Sequence, residues 1–99
     1  DPSAKEIEQF KNKKNVTQIW LKSDGTVVVD EVLLKNISEV SGIIKTKLTK
    51  SVDPGKMIIQ FKADYDTNFD KIEQIHTECR KANALKISYG ALVLTSNKN

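Results

Sequence analysis

The clearest structural signals in this chain lie in the stretch KMIIQFKADYDTNFDKIEQIHTECRKANALKISY, residues 56–89. It opens with a short apolar run at residues 57–61, bounded by Pro54-Gly55 and Asp64, which is typical of a largely buried β-strand. A second short apolar run, LKISY, closes it at residues 85–89. Between the two runs, the apolar residues recur at the spacing of one helix face: Phe69, Ile72, Ile75, Cys79 and Ala82. The stretch therefore predicts a β-α-β unit.

Both ends of the predicted helix carry sequence signals. Thr67 or Asn68 can accept a hydrogen bond from the amides of the first helical turn. At the other end, the basic pair Arg80-Lys81 suits the negative end of the helix dipole. Asn83 follows, and asparagine tolerates the left-handed conformation that often ends a helix.

The composition indicates one globular domain. The chain has 99 residues, too few for two domains. Its net charge is +3, but 16 basic and 13 acidic residues are interleaved along the whole length, a balance that does not favour nucleic-acid binding. The single cysteine excludes an internal disulfide. No apolar run approaches the length of a bilayer span, and the chain opens at Asp1 without an initiator methionine, as a fragment or a processed form would.

The first fifteen residues are polar and lysine-rich, which predicts a flexible linker. An alternative is a short helix over residues 4–14, with Ile7, Phe10 and Lys14 along one side. Isolated helices of this length are marginal in water, and the linker is the preferred interpretation.

The next residues predict a hairpin and a first helix. Apolar runs at residues 16–21 and 26–29 flank Asp24-Gly25, a strong hairpin signal. From Leu33 to Leu48 the apolar residues keep a three-to-four spacing typical of a helix. The predicted order is therefore β-β-α-β-α-β, an α+β fold with both helices on one face of a four- to five-stranded mixed sheet. Residues 91–94 are expected to extend the last strand or to form another. The residues expected on the opposite face are Trp20, Val28, Gln60, Lys62, Lys86 and Ser88.

Residues 60–90, QFKADYDTNFDKIEQIHTECRKANALKISYG, resemble the C-terminal half of the periplasmic domain of the ExbD/TolR family of energy-coupling proteins. The family pattern is a hydrophobic strand ending in Ala-Asp, a polar turn with an aromatic residue, a helix ending near Ala-Gly and a short apolar strand. Ala63-Asp64, Phe69, Ala82-Asn83 and Leu85 to Ile87 fill these places. Asn83 stands where the family usually has glycine, and both residues tolerate the left-handed conformation.

The resemblance implies that residues 16–99 are an ExbD/TolR-like periplasmic domain and that residues 1–15 link it to a single transmembrane helix preceding residue 1. The protein would then lie in the bacterial inner membrane, with this domain in the periplasm. It would serve an ExbD-like subunit of a complex driven by the proton motive force, with an ExbB-like channel subunit and a TonB-like transducer, in transmembrane transport. A homodimer is expected. The alternative within the family is a TolR-like subunit that binds peptidoglycan in the cell wall.

No catalysis, metal or other cofactor is expected on this interpretation, because the family's proton-carrying aspartate belongs to the transmembrane helix. A second alternative is a small enzyme or metalloprotein that uses His76 and Cys79, which share a helix face three residues apart. It requires both side chains to reach one concave surface. Further ligands would be needed for zinc, and we favour a packing role for Cys79.

Three other patterns are weaker. The oxygen-bearing side chains at positions 64, 66, 68 and 70 resemble the start of a calcium loop, but the later glycine and glutamate are absent, so helix capping explains them better. A basic group near the end of the first helix suits an acidic partner, or only the helix dipole: Lys45, Lys47, Lys50 and Lys56. An RNA-binding sheet would need more aromatics than Phe61 supplies in its strand.

The remaining candidate is the free edge of the sheet. An uncovered edge strand offers unpaired amides and carbonyls that can recruit a second strand. The last predicted strand has no internal proline. Dimerisation or capture of an extended peptide is therefore predicted there, and the expected partner-binding residues are Leu85, Lys86, Ile87, Ser88, Tyr89, Ala91 and Val93.

Overall fold

The computed structural model describes residues 15–90. Along them lie, in order, β1 (Val16–Leu21), β2 (Val27–Val29), β3 (Val32–Leu34), α1 (Val40–Lys50), β4 (Ile58–Ala63), α2 (Phe69–Lys81) and β5 (Ile87–Tyr89). Short 3-10 turns precede α1 at Ile37–Glu39 and β4 at Pro54–Lys56. The strands form one five-stranded sheet in the order β3-β2-β1-β4-β5. The predicted α+β class is confirmed.

The sheet is mixed, and its parallel part is the predicted β-α-β unit. β4 lies parallel to both β1 and β5, whereas β2 pairs antiparallel with β1 and with β3. α2 makes the crossover from β4 to β5, as parallel strands require. The two strands outermost in the described sheet are β3 and β5.

Both helices pack on the same face of the sheet. Alternate residues of β1 are buried, and Ile19 in β1 and Ile59 in β4 have no exposed surface. Ile44 of α1 and Ile75 of α2 are equally buried and belong to the same hydrophobic core. Because strand side chains alternate between faces, the opposite face is left to the other residues of each strand.

That opposite face carries the residues predicted for it. Trp20 lies beside Val28 on one neighbouring strand and Lys62 on the other, and Gln60 lies beside Ser88. Their side chains are half-buried. The open face is therefore a mixture of polar groups with a few apolar ones.

The ends of α2 are formed as predicted. The Asn68 side chain accepts a hydrogen bond from the Asp70 amide at 2.7 Å. Asn83 adopts φ 58°, and the amides of Asn83 and Ala84 return to the carbonyls of Arg80 and Cys79 at 2.9 Å each. These bonds satisfy polar groups that a helix end otherwise leaves without partners.

The predicted hairpin at Asp24-Gly25 is confirmed. The Lys22 amide donates to the Thr26 carbonyl, and the Gly25 amide donates to the Lys22 carbonyl, both at 2.9 Å. Gly25 has φ +89°, a left-handed conformation that favours glycine at this position of a three-residue loop.

The prediction that the first helix begins at Leu33 is wrong. Val32–Leu34 is a strand, and α1 begins only at Val40 after a 3-10 turn. A second hairpin turn at Asp30 and Glu31 joins β2 to β3, with positive φ at both residues (47° and 72°), as in a type I′ turn. The turn was missed because it contains no glycine.

The fifth strand is therefore not the one expected. The order is β-β-β-α-β-α-β, and the extra strand is β3. The predicted extension at residues 91–94 lies outside the described residues, as does the predicted linker apart from Asn15. None of the helices within residues 15–90 has the length and apolar character to cross a bilayer.

Candidate functional site

β5 presents one hydrogen-bonding side to β4 and the other away from it. The Ile59 amide donates to the Lys86 carbonyl at 2.8 Å, and the Gly90 amide donates to the Phe61 carbonyl at 3.0 Å. Hydrogen-bonding direction alternates along a strand. The backbone groups of residues 86, 88 and 90 therefore face β4, and those of Ile87 and Tyr89 point outward. No strand within residues 15–90 pairs with that outward side.

Exposed apolar side chains lie along this edge. Leu85 and Tyr89 are 68% and 62% exposed, whereas Ile87 and Ser88 are half-buried. The Lys86 side chain is bound to a residue outside β5, because its Nζ donates a hydrogen bond to the Gly55 carbonyl at 2.7 Å. The other two predicted contact residues, Ala91 and Val93, lie outside the described residues. The edge thus combines outward backbone groups with apolar contact surface.

A histidine of α2 supports the end of β5, a contact that the sequence did not reveal. The Tyr89 hydroxyl and His76 Nε2 lie 3.0 Å apart, and His76 Nδ1 lies 3.3 Å from Glu73 Oε2. The His76 ring also packs edge-on against Phe61, with centroids 5.8 Å apart. Since Tyr89 and His76 belong to different elements, only the tertiary fold brings them together. The cluster holds the last residue of β5 against α2.

The proposed reaction centre at His76 and Cys79 is contradicted by the position of the cysteine. Cys79 is 1% exposed, inside the hydrophobic core. Burial raises the pKa of the Cys79 thiol to about 11, and the neighbouring Glu78 carboxylate adds to the shift. A thiol with this pKa carries little thiolate at neutral pH, and thiolate is the reactive form. The two side chains do not share a concave surface.

Asp64, which begins the calcium-like pattern, is instead a link between β4 and the first hairpin. Its Oδ1 accepts a hydrogen bond from the Trp20 indole and its Oδ2 accepts one from the Ser23 amide, both at 2.9 Å. The Trp20 hydrogen bond and then the Ser23 amide hold the pKa of Asp64 below its ordinary value of 3.8. Asn68 caps α2 as described. No group of three or more His, Cys, Asp or Glu suited to a metal occurs among the described residues.

Trp20 forms a second small cluster on the open face of the sheet. The ammonium groups of Lys62 and Lys22 lie 4.2 Å and 5.1 Å from its ring centroid, within cation–π distance. Trp20 thus contacts three charged side chains: Lys22 and Lys62 at its ring, and Asp64 at its indole nitrogen. Its role here is to fix the carboxyl end of β4 to the first hairpin.

Glu78 of α2 serves the start of α1. It is 6% exposed, and its Oε1 accepts a hydrogen bond from the Ser41 amide at 3.1 Å while its Oε2 binds Lys81 Nζ at 2.8 Å. Burial alone would raise the pKa of Glu78, but the bonds from Lys81 and Ser41 outweigh it and lower the pKa below 4.5. Sequence reasoning missed this residue because its partner lies 37 positions away.

The basic group at the end of α1 is divided between two roles. Lys47 Nζ donates to the Val16 carbonyl and pairs with Asp30 Oδ2 at 2.6 Å, so it fastens α1 to the sheet and to the second hairpin turn. Lys56 lies 3.8 Å from Asp53 in the 3-10 turn before β4. Lys45 and Lys50 are exposed. Lys47 is therefore structural, and only part of the group is placed to meet a partner.

Comparison with known proteins adds no family assignment. No protein-family model matches the sequence, and no curated protein matches it significantly.

Proposed function

We propose that this domain binds extended polypeptide at the outward edge of β5, as the periplasmic part of an ExbD-like subunit in an energy-transducing complex. The single observation that supports binding at this edge is the geometry of β5, which directs the backbone groups of Ile87 and Tyr89 away from β4. An added strand gains main-chain hydrogen bonds from such an edge, and alternate side chains give specificity.

The surroundings of β5 suit this use. The inner-face position of Tyr89 lies beside His76 of α2, so a strand added next to β5 would set alternate side chains against that helix. Leu85 and Tyr89 add exposed apolar surface at each end of the strand. These features support a binding surface at the edge of β5.

The ExbD-like assignment is supported by the residues of the β-α-β unit. β4 ends at Ala63 and Asp64 follows it, and Asn83 holds the left-handed conformation at the place where the family usually has glycine. On this proposal the partners are a second copy of the domain, an ExbB-like channel subunit and a TonB-like transducer. The TolR-like alternative, with peptidoglycan as ligand, uses the same fold.

Solution NMR tests the proposal. The ¹⁵N-labelled chain is titrated with extended peptides from periplasmic segments of candidate transducers. We expect the largest amide shifts at residues 85–90, with saturation. Shifts confined to the termini, or an unresponsive β5, would count against strand capture.

A matched pair of variants isolates the backbone contribution. Tyr89→Pro removes the outward amide of residue 89, whereas Tyr89→Ala removes the same side chain and keeps the amide. Since this amide faces away from β4, the internal ladder is retained in both. We expect Tyr89→Pro to bind peptide at least about tenfold more weakly than Tyr89→Ala, which corresponds to the loss of about 1.4 kcal/mol. Equal affinities would argue against main-chain pairing.

Cosedimentation with purified peptidoglycan distinguishes the TolR-like alternative from the ExbD-like proposal. Binding to peptidoglycan that survives Tyr89→Pro, together with no response to any transducer peptide, would favour a wall-binding subunit over the ExbD-like one.

A further inference from the structure

β3 forms the border of the described sheet opposite β5, and its middle residue directs its backbone groups outward. The Asp30 amide donates to the Gln18 carbonyl at 2.9 Å, so the backbone groups of residue 30, and of residue 28 two positions earlier, lie on the side of β1. Those of residues 27 and 29 therefore face β3, where their partners are residues 34 and 32. Leu33 lies between these partners, so its amide and carbonyl point away from β2. No strand within residues 15–90 pairs with them.

Two large apolar side chains of β3 are exposed, one on each face of the sheet. Val32 is exposed although its cross-strand partner, Val29, is buried in the core. Leu33 is also exposed and lies beside Val28 on the open face. An edge strand with free backbone groups and exposed apolar side chains can pair with a further strand.

The sequence of β3 and its two flanking residues, Glu31-Val32-Leu33-Leu34-Lys35, is complementary to itself. When two copies lie antiparallel about a two-fold axis at Leu33, position 31 of each copy lies across from position 35 of the other. Each carboxylate then meets an ammonium group, and Val32 meets Leu34. Opposite charges that face each other across an antiparallel pair stabilise it, and like charges destabilise it. Glu31 and Lys35 are both exposed and accessible to a second copy.

The same register uses the outward backbone groups. Leu33 of one copy lies opposite Leu33 of the other, and each amide donates to the carbonyl of its counterpart. A parallel arrangement would instead set Glu31 beside Glu31 and Lys35 beside Lys35. The antiparallel register is therefore the one that charge, apolar contact and hydrogen-bonding direction all favour.

We propose that a second copy of this chain pairs with the first through β3, antiparallel and centred on Leu33. The pairing joins two five-stranded sheets into one and leaves the outward side of β5 free for a peptide. It rests neither on the ExbD-like assignment nor on peptide binding at β5. Because a three-residue strand buries less surface than a standard interface, the dimer should be weak and should dissociate on dilution.

Sedimentation equilibrium of the full chain, from micromolar to millimolar concentration, tests this pairing. Each charge reversal, Glu31→Lys or Lys35→Glu, sets like charges across both ends of the paired strands. We expect each to raise the dimer dissociation constant at least about tenfold. An equimolar mixture of the two variants restores both opposite-charge pairs and should associate about as tightly as the wild type. The matched control, Lys45→Glu at an exposed position of α1, should leave the dissociation constant unchanged.

A cysteine at the centre of the pairing tests the register. Residues opposite each other in a hydrogen-bonded antiparallel pair have Cα atoms about 5.5 Å apart, within the range of a disulfide. Under a mild oxidant, Leu33→Cys should therefore form a disulfide between two chains at least about tenfold faster than Val52→Cys, whose position in a loop is fully exposed. Hydrogen exchange at Ile19 and Ile75 verifies that the core is intact in each variant.

Three results would overturn the proposal. One is a wild-type chain that remains monomeric throughout the concentration series. Another is an equal rate of disulfide formation in the two cysteine variants. The third is dimerisation that is lost in Tyr89→Pro but retained in both charge reversals, which would assign the second copy to β5.

Discussion

The two helices pack on the same face of the sheet but begin in different ways. α2 is capped locally, because Asn68 accepts a hydrogen bond from an amide two residues further on. α1 is capped at a distance, because its Ser41 amide donates to Glu78 of α2. α1 also contains Gly42, which lowers helix propensity. The start of α1 therefore depends on α2 for the acceptor of its Ser41 amide, in addition to the local hydrogen bond from the Asn36 amide to Glu39 in the preceding 3-10 turn. α2 is capped by its own N-cap residue.

The largest expected effect comes from breaking this dependence. Glu78→Ala leaves the Ser41 amide without its buried acceptor and Lys81 without its partner. We expect a loss of about 2 kcal/mol in the free energy of unfolding. Hydrogen exchange should show α1 losing protection before α2. Equal loss in both helices would contradict the asymmetry.

The local cap of α2 should matter less. Asn68→Ala removes the acceptor for the Asp70 amide, and such substitutions typically cost about 1 kcal/mol. Urea unfolding measures the change. Asn68→Asp is the control, since aspartate also caps helices and should keep nearly full stability. A loss as large as that of Glu78→Ala would mean that both helices rely on their caps equally.

Replacing the glycine of α1 should stabilise the domain, whereas the two preceding variants should destabilise it. Gly42→Ala adds a β-carbon into open space and should stabilise the domain by about 0.5–1 kcal/mol through helix propensity. Urea unfolding of the single variant and the wild type measures the change. Destabilisation by Gly42→Ala would show that this position of α1 requires glycine.

Lowering the pH should gradually reduce the stability of the domain through the Glu78 carboxylate. The pKa of Glu78 is lowered in the folded state, so its contribution is present above the unfolded value of 4.5 and is lost as the pH falls through the folded value. Asp64 behaves likewise below 3.8. Stability measured from pH 6 downward should decline less steeply in Glu78→Gln than in the wild type. Parallel curves would exclude Glu78 as a source of the decline.

The two halves of the chain differed in how well sequence predicted them. The β4-α2-β5 unit was predicted because its signals are local: a change of apolar spacing at Phe69, a cap at Asn68 and a left-handed residue at Asn83. The start of α1 was not predicted correctly. Leu33, Leu34 and Ile37 fit helical spacing, and the turn at Asp30 and Glu31 lacks the usual glycine.

That turn is held by contacts that no local pattern contains. The Asp30 side chain accepts a hydrogen bond from the Gln18 amide at 2.9 Å and pairs with Lys47 of α1. Asp30 also donates its own amide to the Gln18 carbonyl at 2.9 Å. Local sequence patterns also miss the tertiary contacts of the proposed binding edge at β5. The sequence identified β5 as a candidate edge, but the contact of Tyr89 with His76 depends on the packing of α2 against the sheet.

The buried thiol of Cys79 has a practical consequence. With a pKa of about 11 and almost no exposed surface, it should react very slowly with maleimides at neutral pH. It is the only native cysteine. A cysteine introduced on the surface would therefore take a spin label or fluorophore selectively, without replacement of the native residue and without disturbance of the core.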